Sequence, residues 1–279
     1  MMKFSLNCQG RLLDLSTPAV MKIINLTPDS FYNGQLEAID LSILSAVEEA
    51  LSNGAKIIDI GGQSTRPGAQ LIPKEIEWER IKGKIKLIQN EFSEAFISID
   101  TFYSSVAEKA VDEGAVIING ISGGTMDDSL FETVARLKVP YILMHIKGTP
   151  QTMQSNPAYE NVVLEVWNYF LEKINKLEAL GVDQLIIDPG FGFGKTIENN
   201  YSLLKNLPVF QNLHRPILAG VSRKSMITKV LNIKSEDALN GTSILNTLAI
   251  MNGASILRVH DVIPAQQVIS LLKEYRKVQ

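Results

Sequence analysis

Eight short β-branched runs recur along this chain, and longer amphipathic stretches separate them. They are VMKIIN (20–25), KIIDIG (56–61), FISID (96–100), VIING (116–120), YILMHI (141–146), QLIID (184–188), ILAGVS (217–222) and SILRVH (255–260). The runs are apolar on both faces rather than alternating, as expected of parallel strands covered by helices on one side and facing a barrel interior on the other. Strand–helix alternation eight times over specifies the α/β class and a single (β/α)8 TIM barrel. The length of 279 residues suits that fold, for which about 250 residues is typical.

The intervening segments read as helices. Residues 73–90 place Pro73 at a first helical position and carry Ile76, Ile81, Ile85 and Ile88 near helical spacing. Residues 264–277 repeat that start with Pro264, followed by Val268, Leu271, Leu272 and Tyr275. Gly54, Gly114, Gly181 and Gly253 each precede a strand and suit the left-handed position that closes a helix. The strand-to-helix loops 26–36, 61–72, 146–158 and 189–197 are long and rich in Gly, Pro, Thr and Asn, which marks that end as the functional one. Residues 1–19 read as a short N-terminal hairpin that caps the opposite mouth, so residues 1–279 are expected to form one domain.

A net charge of −3 without a basic block offers no footprint for nucleic acid or an anionic membrane and favours small-molecule partners. The single cysteine, Cys8, has no disulfide partner and no neighbouring base to activate it. Asn7, Gln9 and Arg11 interrupt the N-terminal apolar stretch before a signal sequence forms, and no apolar run reaches the roughly 18 residues of a membrane span. A cytoplasmic location is expected.

Nearly every run ends on, or just before, a residue with chemistry: Asn25, Asp59, Asp100, Asn119, His145, Asp188 and the pair Arg258 and His260. Polar side chains at the ends of apolar strands are costly unless satisfied, so their recurrence points to one shared concave site. Arg258 and His260, two apart on the last strand, suit a di- or triphosphate, the alternative being a salt bridge from Arg258 to Asp261 or another loop carboxylate. Asp100, Asn119 and Asp188 could read the donor edge of a flat nitrogen heterocycle or hold a hard cation. SRKS (222–225) sets Lys224 beside the site and Ser225 near a helix start. DPGFGFGKT (188–196) imitates a phosphate-binding loop, but Pro189 stands where its first glycine belongs; it reads as an active-site loop of another kind.

In order along the chain stand NLTPDSF (25–31), GGQSTRPGA (61–69), SIDT (98–101), MHIKGTPQTMQ (144–154), DPGFGFGK (188–195), SRKS (222–225) and RVHD (258–261). Over residues 20–261 this set resembles the dihydropteroate synthases of the pterin-binding barrel family. The resemblance implies a transferase of folate biosynthesis that condenses 6-hydroxymethyl-7,8-dihydropterin diphosphate with 4-aminobenzoate, using Mg²⁺ and working as a homodimer. It implies that Asp100, Asn119, Asp188 and Lys224 bond the pterin, with Met144 and Phe193 lining its pocket. Asn25, Thr65, Arg258 and His260 would hold the diphosphate, Asn25 its Mg²⁺. Phe31, Thr65, Arg66, Pro67 and Ser225 would form the aminobenzoate pocket, where sulfonamides compete. Asn25, Arg66, Asp100, Lys224, Arg258 and His260 would carry the chemistry, while Asp59 and His145 receive no family role.

Some positions depart from that pattern. Gly120 stands where an acidic residue usually follows Asn119, Gln63 where glutamate is common, and the first loop reads SFYNGQ. Gly120 implies the loss of a carboxylate that would orient the pterin end. A pterin-binding methyltransferase would share Asp100, Asn119 and Asp188 but lack TPDSF, STRPG and the Arg258–His260 pair, all present here. An aldolase-type barrel with Lys224 as a Schiff base and a non-catalytic pterin-binding paralogue are the other readings. Replacing Arg258 by alanine is expected to lower turnover far more than stability.

Overall fold

The computed structural model describes residues 3–27, 36–64, 68–149, 153 and 157–278. An antiparallel hairpin, β1 (Ser5–Cys8) and β2 (Arg11–Asp14), opens the fold. Eight parallel strands follow: β3 (Ala19–Asn25), β4 (Ile57–Gly61), β5 (Phe96–Asp100), β6 (Ile117–Gly120), β7 (Tyr141–Met144), β8 (Leu185–Asp188), β9 (Leu218–Ala219) and β10 (Ile256–Val259). Their order is β8-β7-β6-β5-β4-β3-β10-β9, and a parallel bridge between Ile187 and Ile217 joins the two ends. The expected eight-stranded barrel is formed. Its seventh strand is much shorter than 217–222, because the chain leaves the sheet after Ala219 and turns through Ser222 and a left-handed Arg223 (φ 56°).

The helices in chain order are α1 (Leu36–Ser52), α2 (Lys74–Ile81), α3 (Lys84–Glu91), α4 (Ser104–Asp112), α5 (Leu130–Leu137), α6 (Val162–Ala179), α7 (Ile197–Lys205), α8 (Ser225–Leu231), α9 (Leu239–Met251) and α10 (Val262–Tyr275). The segment expected as one helix over 73–90 is two. Gly83 takes φ 76°, and its N–H donates to both carboxylate oxygens of Glu113, at 2.9 and 3.0 Å, instead of to the helix. Pro73 caps α2 from outside its first turn, and α10 begins two residues before Pro264, where a missing N–H costs no intrahelical bond. The four glycines preceding strands all sit at positive φ, from 82° to 116°.

Two apolar layers follow from strand alternation. Outward residues such as Ile58, Ile99, Ile118 and Leu257 pack under the helices. Inward residues at the strand beginnings, among them Ile57, Ile117, Ile142, Ile186 and Ile256, form a separate cluster with Leu6, Cys8, Leu13 and Leu15 of the hairpin. The hairpin therefore plugs the lower mouth, and burial raises the Cys8 thiol to about 12, which removes it from nucleophilic chemistry. Among the described residues no helix is long and apolar enough to cross a membrane.

Candidate active site

Above the apolar floor the barrel interior turns polar. Strand register places Asn25, Gly61, Asp100 and Asn119 side by side across β3, β4, β5 and β6. Asp188 ends β8 beside Met144 of β7. Gly61 keeps the row open: a Cβ there would lie 3.4 Å from the Asp100 Cβ and 3.7 Å from Asn25 Oδ1.

Arg258 reaches inward from β10 and ties two levels together. Its Nε donates to Asp59 Oδ2 at 2.6 Å and its Nη2 to Asp100 Oδ2 at 2.5 Å. Asp59 Oδ2 also accepts from Asn119 Nδ2 at 3.1 Å, which orients that amide. Asp59, one of the polar strand ends but given no role by the family resemblance, is thus the carboxylate that holds both Arg258 and Asn119. The partners of Arg258 are thus strand carboxylates and not Asp261 or another loop carboxylate: Asp261 belongs to Arg223, through a two-point contact at 2.9 and 2.7 Å. Arg258→Ala strips two buried carboxylates of their counter-charge, so a loss of stability is expected beside the loss of turnover.

The electrostatics follow from burial. Burial is the largest influence on Asp100 and raises it, with Arg258 the strongest opposing one. Asp188 is raised by burial against Lys224 and the Gly190 N–H, which donates to its Oδ1 at 2.8 Å. Burial lowers Lys224 to about 8. Its ammonium donates to the Phe191 carbonyl at 2.5 Å and lies 4.7 Å from the Phe193 ring centre. For Arg258 burial acts downward, but Asp59 and Asp100 outweigh it and keep the guanidinium charged. His260 lies just beyond β10, with Nδ1 3.0 Å from Ser222 Oγ. Burial, then Arg258 and Arg223, lower it to about 4, so at neutral pH it supplies a hydrogen bond and not a charge.

Two buried acceptors, Oδ1 of Asp59 and Oδ1 of Asp100, have no hydrogen-bond partner. Leaving such an oxygen unmet costs about 1–3 kcal/mol, so the site is built for a ligand that brings donors. Met144 and Phe193 pack with Phe102, Ile121, Ile146 and Met153 into an apolar wall beside these oxygens' strands. Ser225 is exposed at the start of α8. Phe31, Thr65, Arg66 and Pro67 lie outside the described residues. Among the described residues no three His, Cys, Asp or Glu side chains cluster to hold a metal.

Gly120 changes meaning in this setting. Asn119 faces the barrel interior, so position 120 faces outward, and a Cβ there would sit 2.2 Å from the Tyr141 hydroxyl. A carboxylate at 120 would point away from the site, so its absence takes nothing from the pocket. Gln63 Oε1 accepts from the Ile72 N–H at 3.1 Å, bridging the two ends of the long loop after β4. Sequence reasoning also missed Glu77, wholly buried on α2 behind that loop, where burial raises its carboxyl against the opposing Thr101 hydroxyl.

A floor of apolar side chains, a row of acceptors and a lysine beside an aromatic ring are the makings of a heterocycle pocket, and comparison with known proteins agrees. Residues 21–260 match the model of the pterin binding enzyme family. The chain belongs to the dihydropteroate synthases of this pterin-binding family. It is 44% identical to the dihydropteroate synthase of Escherichia coli K12 over 259 residues, covering 91% of this chain and 90% of that one. The dihydropteroate synthase of Xanthomonas albilineans, solved with 4-aminobenzoic acid, superposes with a TM-score of 0.92 at 36% identity and full coverage of both chains. That of Yersinia pestis, solved with a sulfonamide drug, has the same TM-score at 35% identity, over 99% of this chain and 100% of that one.

Proposed function

We propose that this dihydropteroate synthase condenses 6-hydroxymethyl-7,8-dihydropterin diphosphate with 4-aminobenzoate, giving 7,8-dihydropteroate and pyrophosphate. The observation that carries the reading is the set of acceptors on Asp100, Asn119 and Asp188, with unmet oxygen on Asp100, beside the Lys224 ammonium. A reduced pterin brings N–H groups for the carboxylates and amide and a carbonyl for the ammonium, and its flat face suits Met144 and Phe193.

An arylamine is a weak nucleophile, so heterolysis of the carbon–oxygen bond to the diphosphate comes first. The pterin ring shares the resulting positive charge, the amine nitrogen captures the methylene carbon, and the amine's extra proton leaves to water. Arg258 and the neutral imidazole of His260 offer donors to the departing pyrophosphate, while Asp100 and Asp188 favour positive charge on the pterin. No strong base is required. Phe31, Thr65, Arg66, Pro67 and Ser225 are assigned to the aminobenzoate side, Thr65 to the diphosphate as well, so sulfonamides compete there.

Mg²⁺ takes one or two protein oxygens and completes its shell with phosphate oxygens and water, and the lone amide of Asn25 at the end of β3 fits that demand. When bound it supplies charge stabilisation on the diphosphate. The working unit we propose is a cytoplasmic homodimer of single-domain chains. Support for the dimer comes from α9, where Ile244, Leu248 and Met251 are exposed by 53%, 40% and 54% along one helical face. Support for the single domain comes from the shared apolar cluster of hairpin and barrel floor. The test is pyrophosphate release with both substrates and Mg²⁺. Release dependent on all three supports the reading; pterin binding without release identifies a non-catalytic paralogue.

A further inference from the structure

Lys195 closes the segment that follows β8, and its side chain turns inward until the residue is only 3% exposed. Its ammonium donates to the carbonyls of Gly190 and Phe193, both at 2.9 Å, and meets His145 Nδ1 at 3.0 Å, with the His145 carbonyl at 3.3 Å. Three short contacts match the three protons of an ammonium. His145 directly follows Met144, and Gly190 and Phe193 lie in the loop that leaves Asp188, so one side-chain nitrogen joins the ends of two adjacent strands.

The loop is shaped to permit this convergence. Gly190, Gly192 and Gly194 take φ of 68°, 84° and 62°, the left-handed region that glycine tolerates. A Cβ on Gly190 would lie 1.9 Å from the His145 carbonyl oxygen, and one on Gly194 2.5 Å from that of Lys147. The glycines let the two strand ends approach, and the approach turns their carbonyls toward one point. Burial, then the Lys195 charge, hold His145 neutral, and the amine facing Nδ1 assigns that nitrogen as the acceptor; burial also lowers Lys195 well below the ordinary lysine range, with Asp188 opposing it.

We infer that Lys195 is a positioning residue: with His145 as its partner it clasps the loop after β8 to the end of β7 and so sets Phe193 against Met144 across the pterin pocket. The inference rests on the pocket assignment made above. Lys195 touches no substrate; it acts through the backbone that carries Phe193 and the Gly190 N–H bonded to Asp188.

The test compares Lys195→Ala with the native protein by calorimetric binding of 6-hydroxymethylpterin and by steady-state kinetics. A displacement of about 1 Å in a positioning element costs on the order of 100-fold, so the pterin dissociation constant and KM rise at least about tenfold while the aminobenzoate KM stays within about threefold. Propylammonium, which carries the three carbons and the nitrogen removed by the substitution, restores pterin affinity; tetramethylammonium, without N–H donors, does not. Native pterin affinity in Lys195→Ala, or losses on both substrates that propylammonium leaves unchanged, overturns the inference. Where Lys195→Ala does not fold, His145→Asn, whose Oδ1 stands near Nδ1, is compared with His145→Leu: the asparagine variant retains more pterin affinity, and equal affinity overturns the inference. A native protein that binds the pterin but releases no pyrophosphate overturns the catalytic reading alone, whereas one that binds no pterin overturns both.

Discussion

Arg258→Met tests the polar interior directly. The substitution keeps much of the side chain's bulk and removes two ion pairs, to Asp59 at 2.6 Å and Asp100 at 2.5 Å, whose carboxylate side chains are 0% and 4% exposed. Breaking a buried pair by removing one partner costs about 3–5 kcal/mol, because each remaining carboxylate must stay charged without a partner or take up a proton. That is a large part of the roughly 5–15 kcal/mol that holds a domain together. At about 2 °C per kcal/mol for a chain of this size, the melting midpoint falls by roughly 6–10 °C. Asp100 supplies the pH signature. Burial already raises it to about 7, and loss of Arg258, its strongest opposing influence, raises it further. Native Asp100 is therefore ionised above about pH 7, where the variant still holds its proton; unfolding the variant releases that proton, so its stability falls as pH rises through this range. The gap to the native protein is wider at pH 8.5 than at pH 5.5. Circular dichroism melts at the two pH values measure it, with Arg258→Met/Asp59→Asn as the compensated variant, which melts above the single one. A gap under about 1 °C at pH 8.5, a gap that widens toward acid, or a double variant below the single would refute the ion-pair reasoning, since each contradicts an unpaired buried charge as the cause.

Three further outcomes are expected. Burial raises Glu77 to about 8, so its folded carboxyl keeps a proton that the unfolded chain loses above about 4.5. Native stability therefore declines as pH climbs from 4.5 to 8, and Glu77→Gln, which cannot ionise, removes a few kcal/mol of that decline, seen as a higher melting midpoint at pH 8 and little change at pH 4.5. Gly120→Asp drives its Cβ toward the Tyr141 hydroxyl and lowers soluble yield, and Tyr141→Leu in the same chain recovers part of it. Ile244→Lys, on the exposed face of α9, converts the proposed homodimer to a monomer by light scattering while the barrel melts within a few degrees of native; a native monomer contradicts the dimer.

Much of the barrel was legible before folding, because its signals are local. A strand covered on both faces must be apolar throughout, and a helix closing on a left-handed turn favours glycine, so the eight runs and Gly54, Gly114, Gly181 and Gly253 mark elements wherever the rest of the chain lies. The polar strand ends were legible for the same reason, since an Asp or Asn closing an apolar run is costly without a purpose. The split at Gly83 was not legible, because it depends on the Glu113 carboxylate, 30 residues away.

Partnership was settled only in three dimensions. Arg258 could as well have met Asp261, three residues on, as Asp59 or Asp100, 199 and 158 residues away; barrel closure brings β10 against β3 and turns Arg258 inward, and Arg223 occupies Asp261. Gly120 looked like a lost carboxylate until strand alternation turned it away from the site and Tyr141 filled its space. Lys195, part of an apparent phosphate loop, became the knot of a carbonyl cluster. The sequence alone determined the architecture and the kinds of chemistry at the barrel's mouth, since those depend on local pattern. Which charge neutralises which, and which side chain points at a ligand, the tertiary structure decided, because ion pairs and close contacts depend on distance in space and not on separation along the chain.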